Sequence, residues 1–188
     1  MLDETPGPIL AVGHSYGGAV LTNAATNAQN VVGLVYVAAF APDEGEVLGE
    51  VTASSKDSVL NTALVPMHYP TRDGQSAVEF AIDPAKFRDA FAADLPAEQT
   101  AVMAATQRPV AEAAFSEPSG PPAWKRVPSW AAVASADTAA GTDVILSMAE
   151  RAGATITQLE GSHVIMISQP EAVTDVILRA LSEVGSKA

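Results

Sequence analysis

The chain has 188 residues, which is the length of one ordinary domain. Apolar residues make up 48% of it and charged residues only 17%, against about 25% charged in an average globular protein, so intrinsic disorder is excluded as the main state. A net charge of −12 disfavours nucleic acid and membrane partners, and the lack of cysteine excludes disulfides, thiolate nucleophiles and cysteine-ligated metals.

The first predicted unit is a strand, a helix and a second strand. Residues 8–13 form a short apolar run between Pro and Gly, which predicts a strand buried on both faces. Small and apolar residues at helical spacing follow over residues 17–25, and β-branched residues return over residues 31–37. Such a crossover makes the two strands parallel and leaves the loops at their carboxyl ends free to form a site.

No targeting signal or membrane span is expected. The opening residues lack a basic segment, and the longest apolar stretch, residues 31–41, is shorter than the roughly 20 residues that cross a bilayer. We therefore expect a cytoplasmic protein.

The pattern weakens from Pro42 to about Pro128, where Pro, Gly, Ser and Asp recur. The clear helical segment there is residues 96–107, which Asp94 could start as a cap. We interpret this stretch as an insertion into the fold.

Regular alternation then resumes. A strand is predicted over residues 129–134, a helix over 142–152 and a further strand over 154–159. A last helix is predicted from Ser168, which would form a capping box with Glu171. This second strand–helix–strand unit predicts an α/β fold.

One motif points to chemistry. Residues 13–17, Gly-His-Ser-Tyr-Gly, fit the pattern G-x-S-x-G and lie between a predicted buried strand and a predicted helix, as that pattern requires. The sharp turn lifts the Ser15 hydroxyl above the sheet, and we expect it to need glycine on both sides of the serine. Ser15 is the candidate nucleophile, and the Tyr16 backbone N–H at the helix N-terminus is the candidate oxyanion donor.

A serine nucleophile needs a histidine base. His163 follows the predicted C-terminal strand and is the preferred candidate. His14 lies beside the serine on the turn and is expected to face the wrong way, and His68 lies in the irregular insertion.

The base needs a carboxylate to orient it. Asp137 follows the strand 129–134, at the same edge of the sheet as the serine and the histidine, which gives the chain order Ser, Asp, His. Asp43 and Asp143 remain alternatives for this role. Asp137 could instead cap the helix that follows it.

These residues resemble the α/β-hydrolase superfamily, in particular its small single-domain bacterial members. Residues 13–18 resemble the nucleophile elbow of that superfamily and residues 35–42 its next strand and exit loop. Asp137 resembles the acid loop, and Ser162-His163 the histidine loop.

The resemblance implies a partial α/β-hydrolase fold, a mostly parallel sheet flanked by helices with a helical lid insertion. It assigns residues 1–41 and 123–188 to the core and residues 42–122 to the lid. Esterases, lactonases and hydroxynitrile lyases share these parts, so the resemblance does not name a substrate.

The sequence departs from that superfamily at its N-terminal end. Members normally have several strands before the elbow, and a loop after an early strand supplies a second oxyanion donor, whereas twelve residues precede Gly13 here. We expect the elbow strand to lie at a sheet edge and to recruit a second copy, forming a homodimer, or to cause insolubility. Losing one oxyanion donor would lower turnover by about 10²–10³.

The sequence therefore predicts a cofactor-free serine hydrolase that acts on small esters or related acyl compounds. No phosphate-binding glycine motif and no metal-ligand pattern is present in the sequence. One alternative is a catalytically impaired, truncated remnant that needs a partner chain to complete its sheet. Another is a lyase, which would require a further cation in the pocket, and the sequence places neither Lys56 nor Lys86 there.

Overall fold

The structure is a computed structural model that describes residues 2–185. The described residues form seven strands: β1 (Ile9–Ser15), β2 (Val31–Ala39), β3 (Leu64–Pro70), β4 (Ser76–Ile82), β5 (Val110–Ala111), β6 (Ser129–Ala134) and β7 (Thr155–Leu159). Four of them make a parallel sheet in the order β1-β2-β6-β7. This sheet confirms the predicted α/β fold, and its four strands are those expected from the sequence.

Helices cover both faces of this sheet. The described helices are α1 (Tyr16–Ala24), α2 (Leu48–Ser54), α3 (Leu60–Ala63), α4 (Phe87–Phe91), α5 (Ala97–Thr106), α6 (Ala113–Ser116), α7 (Thr142–Arg151), α8 (Ile165–Ser168) and α9 (Pro170–Gly185), with 3₁₀ turns at Leu2–Glu4 and Ala123–Lys125. Within residues 2–185, no helix combines the length and apolar character needed to cross a membrane.

The alternation of side chains along the strands explains this arrangement. On β2, Leu34 and Tyr36 pack toward α1 and α7, whereas Val35 and Val37 pack toward α9. A strand that is covered on both faces needs apolar residues at successive positions, and the run 31–37 supplies them.

The strand that leads to Ser15 lies at an edge. In the described part of the chain β1 pairs with β2 alone. Val12 in β1 keeps 46% of its surface exposed. The backbone groups on the outer side of β1 therefore face no neighbouring strand among residues 2–185.

The insertion contains a second sheet that the sequence analysis missed. Strands β3, β4 and β5 form a three-stranded antiparallel sheet, and β3 and β4 are joined by a turn in which Gly74 has a φ of 80°. Pro66 and Pro70 lie on β3, which is an edge strand and so tolerates residues without a backbone donor. Those prolines made the segment resemble a loop. The division into core and lid at residues 42 and 122 stays a prediction.

Two predicted helix starts are wrong. Pro96, and not Asp94, precedes the first residue of α5, and no side chain caps that helix. Ser168 ends α8, and α9 begins at Pro170, so the capping box does not start the last helix. Asp94 does not cap α5 because its carboxylate accepts hydrogen bonds from a distant loop, as described below.

Candidate active site

Ser15 lies at the junction of β1 and α1 with a backbone φ of 54° and ψ of −127°. Residues with a side chain rarely adopt such a positive φ, and the surrounding contacts must hold it there. The N–H of Phe40 donates to the Ser15 carbonyl at 3.2 Å. Ala38 of β2 also has a positive φ, 42°, and it forms the bulge beside the Ser15–Ala39 pair. The turn at Ser15 and the bulge at Ala38 therefore lie opposite each other on adjacent strands and form one irregular region of the sheet.

The glycines of the motif have unequal roles. A side chain at Gly18 would overlap with the backbone oxygen of Phe40, and one at Gly13 would overlap with Leu21. A side chain at Gly17 would meet no atom within 4 Å. The expectation that glycine is needed on both sides of the serine is therefore wrong for Gly17, because this residue lies in the first turn of α1 and faces the open cavity described below.

Ser15, His163 and Asp137 form a continuous line of hydrogen bonds. The Ser15 Oγ lies 2.8 Å from His163 Nε2, and His163 Nδ1 lies 2.7 Å from Asp137 Oδ2. The carboxylate can only accept at Nδ1 when that nitrogen carries the ring proton, which leaves Nε2 free to accept from the serine hydroxyl. His163 and Asp137 are each only 1% exposed, so water does not compete for the bond between these two residues.

The second carboxylate oxygen of Asp137 is also satisfied. Its Oδ1 accepts from the backbone N–H groups of Ala139 at 3.0 Å and Ala140 at 2.9 Å. Burial alone would raise the pKa of Asp137, but the electrostatic interaction and the hydrogen bond with His163, together with the two backbone donors, hold that pKa below its ordinary value. Asp137 is therefore an ionised, fixed acceptor at neutral pH.

The two alternative acids lie elsewhere. Asp43 pairs with Lys125 at 2.5 Å, and Asp143 accepts from Ser55 and from the backbone of Lys56. Asp137 is the one of the three that contacts His163 among the described residues. It is not a cap for α7, which begins at Thr142 without a side-chain cap.

His14 has a contact that the sequence did not reveal. Its Nε2–H donates to the backbone carbonyl of His163 at 2.9 Å, and the two imidazole ring centroids lie 4.7 Å apart. Burial is the main reason that the pKa of His14 falls to about 4, so this ring is neutral at neutral pH. Adjacency to Ser15 was the available sequence signal, and it gave no indication of this bond.

Asp94 holds the same loop from the side of the insertion. Its carboxylate accepts from the backbone N–H of Ser162 at 2.9 Å and from the hydroxyl of that buried serine. Burial alone would raise the pKa of Asp94, but the hydrogen bonds that its carboxylate accepts, those from Ser162 among them, together hold that pKa below its ordinary value. The Phe91 ring also contacts His163, with centroids 4.9 Å apart. The insertion thus contributes to the placement of His163.

Ser15 and His163 open into a cavity of about 490 Å³. Most of its wall is apolar and comes from the insertion: Leu48, Leu60, Leu64, Phe80, Ile82, Phe87, Phe91, Met103, Val110 and Phe115. Tyr16, whose backbone N–H is the candidate oxyanion donor, lines the cavity beside Ser15. His68 lies exposed on β3 and is not among the lining residues.

No group of three or more potential metal ligands, whether His, Cys, Asp or Glu, lies together within residues 2–185. The acidic stretch 43–46 is used instead in ion pairs, from Asp43 to Lys125 and from Glu46 to Arg151.

A comparison with protein-family models identifies the family. The model of the alpha/beta hydrolase family matches residues 1–176. The chain belongs to the α/β-hydrolase family. The predicted family and fold class are thereby confirmed.

Solved structures show how much of the α/β-hydrolase fold the chain shares with other members. A methylesterase from Arabidopsis is 21% identical with a TM-score of 0.75, covering 96% of this chain and 73% of its own. A pyrethroid hydrolase from Sphingobium faniae is 21% identical with a TM-score of 0.73, covering 95% and 72%. A mutant of tomato methylketone synthase I is 18% identical with a TM-score of 0.76, covering 97% and 75%. No curated protein matches the chain. At sequence identities this low, these similarities establish a shared fold alone.

Proposed function

We propose that this α/β-hydrolase cleaves small carboxylic esters, with Ser15 as nucleophile, His163 as general base and Asp137 as the residue that orients the base. The observation that carries the proposal is the line of two short contacts, 2.8 Å from Ser15 Oγ to His163 Nε2 and 2.7 Å from His163 Nδ1 to Asp137 Oδ2. A hydroxyl with a base in hydrogen-bond reach, and a base fixed by a carboxylate, are what nucleophilic catalysis by serine requires.

The first half of the reaction forms an acyl-enzyme. Ser15 Oγ attacks the ester carbonyl carbon while its proton passes to His163 Nε2, and the carbonyl oxygen becomes an oxyanion that accepts a hydrogen bond from the Tyr16 N–H. The C–O bond to the alcohol then breaks, and the leaving oxygen takes the proton from His163. The product is an ester of Ser15 and a free alcohol.

The second half returns the enzyme to its initial state. Water gives a proton to His163 Nε2 and attacks the acyl carbon. The intermediate collapses as that proton returns to Ser15 Oγ, and the carboxylic acid leaves. Asp137 stays ionised throughout, which stabilises the positive charge that His163 carries transiently.

The cavity supports an apolar substrate of modest size. About 490 Å³ lies within the range of small-molecule sites, and aromatic and aliphatic side chains dominate the wall. Among the similar structures, one is described as a methylesterase and others as pyrethroid hydrolases, which agrees with ester hydrolysis as the reaction class.

The experiment is intact-mass analysis of the purified protein after incubation with a fluorophosphonate, followed by assay of p-nitrophenyl hexanoate hydrolysis. We expect one covalent adduct on the native protein, and none on heat-denatured protein or on Ser15→Ala. Ser116→Ala is the matched control because Ser116 lies exposed on α6, outside the cavity. Equal hydrolysis by wild type and Ser15→Ala would overturn the proposal.

A further inference from the structure

The cavity that contains Ser15 has one cationic side chain in its wall, that of Arg108. No Asp or Glu of the described residues 2–185 lines it. By contrast, Arg88, Lys125 and Arg151 each form an ion pair with a carboxylate. The positive charge is therefore locally uncompensated at the substrate site.

The polar neighbours of Arg108 are already engaged. The Gln107 side chain accepts from the N–H of Ile82 and donates to its carbonyl, both at 2.8 Å, and the Thr106 hydroxyl donates to Val102 at 2.8 Å. Within residues 2–185, no hydrogen bond or ion pair joins the Arg108 guanidinium to the protein, and the side chain is exposed at the cavity. All its donors are available to a ligand.

The backbone that carries Arg108 is held on both sides. Gln107, the residue before Arg108, is held at the end of β4 by the two hydrogen bonds of its side chain to Ile82. Pro109, whose ring fixes φ, follows Arg108. Val110 then pairs with Phe80 in the second sheet. Arg108 therefore projects from a fixed point of the wall, which lowers the entropy lost when it binds a ligand.

We propose that Arg108 binds an anionic group, such as a carboxylate, on an otherwise apolar ester whose scissile carbonyl lies at Ser15. A planar guanidinium can donate two parallel hydrogen bonds to a carboxylate, and the apolar wall accommodates the carbon chain between the two groups. This inference rests on the proposed ester hydrolysis, and it names the substrate class of that site, monoanionic apolar esters.

The test compares two esters of equal acyl length, p-nitrophenyl hexanoate and the p-nitrophenyl half-ester of adipic acid. We expect Arg108→Ala to lower kcat/KM for the half-ester about fivefold, mainly through KM, and to leave the neutral ester within about twofold. Arg108→Glu should lower it further, and Arg108→Lys should retain part of the preference. Arg72→Ala is the charge-matched control, since Arg72 lies exposed in the turn between β3 and β4, outside the cavity.

Binding separates this inference from the proposed reaction. Calorimetric titration of Ser15→Ala with monomethyl adipate and with methyl hexanoate requires no turnover, and we expect Arg108→Ala in that background to weaken the adipate ester alone. Loss of Ser15-dependent hydrolysis with this binding preference intact would overturn the proposed function only. If both esters are hydrolysed and Arg108→Ala changes kcat/KM equally for the two, or changes neither, the role of Arg108 alone would be overturned.

Discussion

The His14 ring, next to the proposed nucleophile in sequence, donates a hydrogen bond at 2.9 Å to the backbone carbonyl of His163, the proposed base. The loop that carries the base is therefore attached directly to the turn that carries the nucleophile. Asp94 fastens the neighbouring Ser162 from the other side. The distance between Ser15 Oγ and His163 Nε2 is set by these side chains as well as by the sheet.

Replacing His14 tests this attachment through turnover. His14→Phe keeps an aromatic ring in place and removes the donor, so we expect kcat to fall about tenfold with KM little changed, because a misplaced base slows the chemical step. Steady-state kinetics on p-nitrophenyl hexanoate measure both parameters. His68→Phe, at an exposed position of β3, is the control, and an unchanged kcat in His14→Phe would contradict the positioning role.

The low pKa of His14 predicts a loss of stability in mild acid. Because this pKa falls from 6.5 to about 4 on folding, the unfolded chain binds the extra proton between those values and the folded chain does not. Stability that is present above pH 6.5 is therefore lost as pH falls toward 4, by about 2 kcal/mol between pH 7 and pH 5. Urea unfolding at the two pH values measures it, and His14→Phe should reduce this difference. An equal difference in both proteins would assign it to other groups.

Asp137→Asn tests the orientation of the base. The amide retains an oxygen for the Ala139 and Ala140 N–H groups but presents a donor to His163 Nδ1, which favours the wrong tautomer. We expect kcat to fall by about 10³–10⁴ without loss of the fold. Asp143→Asn is the matched control. If both variants lost activity equally, the assignment of Asp137 would fail.

The two adjacent glycines of α1 predict opposite outcomes. Gly18→Ala forces a methyl group into the backbone of Phe40 and should cost about 1–3 kcal/mol of unfolding free energy. Gly17→Ala meets open space and should raise helix stability by about 0.5–1 kcal/mol. Parallel urea titrations compare them, and a destabilised Gly17→Ala would show that the turn needs glycine at that position after all.

The outer edge of β1 predicts self-association. In the described chain this strand lacks a second neighbour and presents Val12 to solvent, so we expect a second copy to cover it. Sedimentation equilibrium should detect a dimer that Val12→Lys weakens, since a charged side chain at an edge disfavours strand pairing. A compact monomer at all concentrations would disprove it.

Much of the fold was predictable because its signals are local. The apolar runs of β1, β2, β6 and β7 need only composition and length to be identified, and G-x-S-x-G between a strand and a helix identifies the elbow. The proximity of Asp137 and His163 to Ser15 could be predicted because parallel strands place their carboxyl ends at one edge of the sheet.

The remaining features depend on contacts between distant parts of the chain. The prolines of β3 indicate a loop until its pairing with β4 is known, and Asp94 resembles a helix cap until Ser162 is brought to it. Arg108 is one exposed cation among others until the insertion folds over Ser15. Each of these required knowledge of which segments meet in space.

The positive φ of Ser15 means that the residue best for stability at this position differs from the residue that the proposed reaction needs. Any residue with a side chain bears the same backbone strain there, and glycine would relieve about 1 kcal/mol or more of it. Ser15→Gly would therefore yield a more stable protein that lacks the proposed nucleophile.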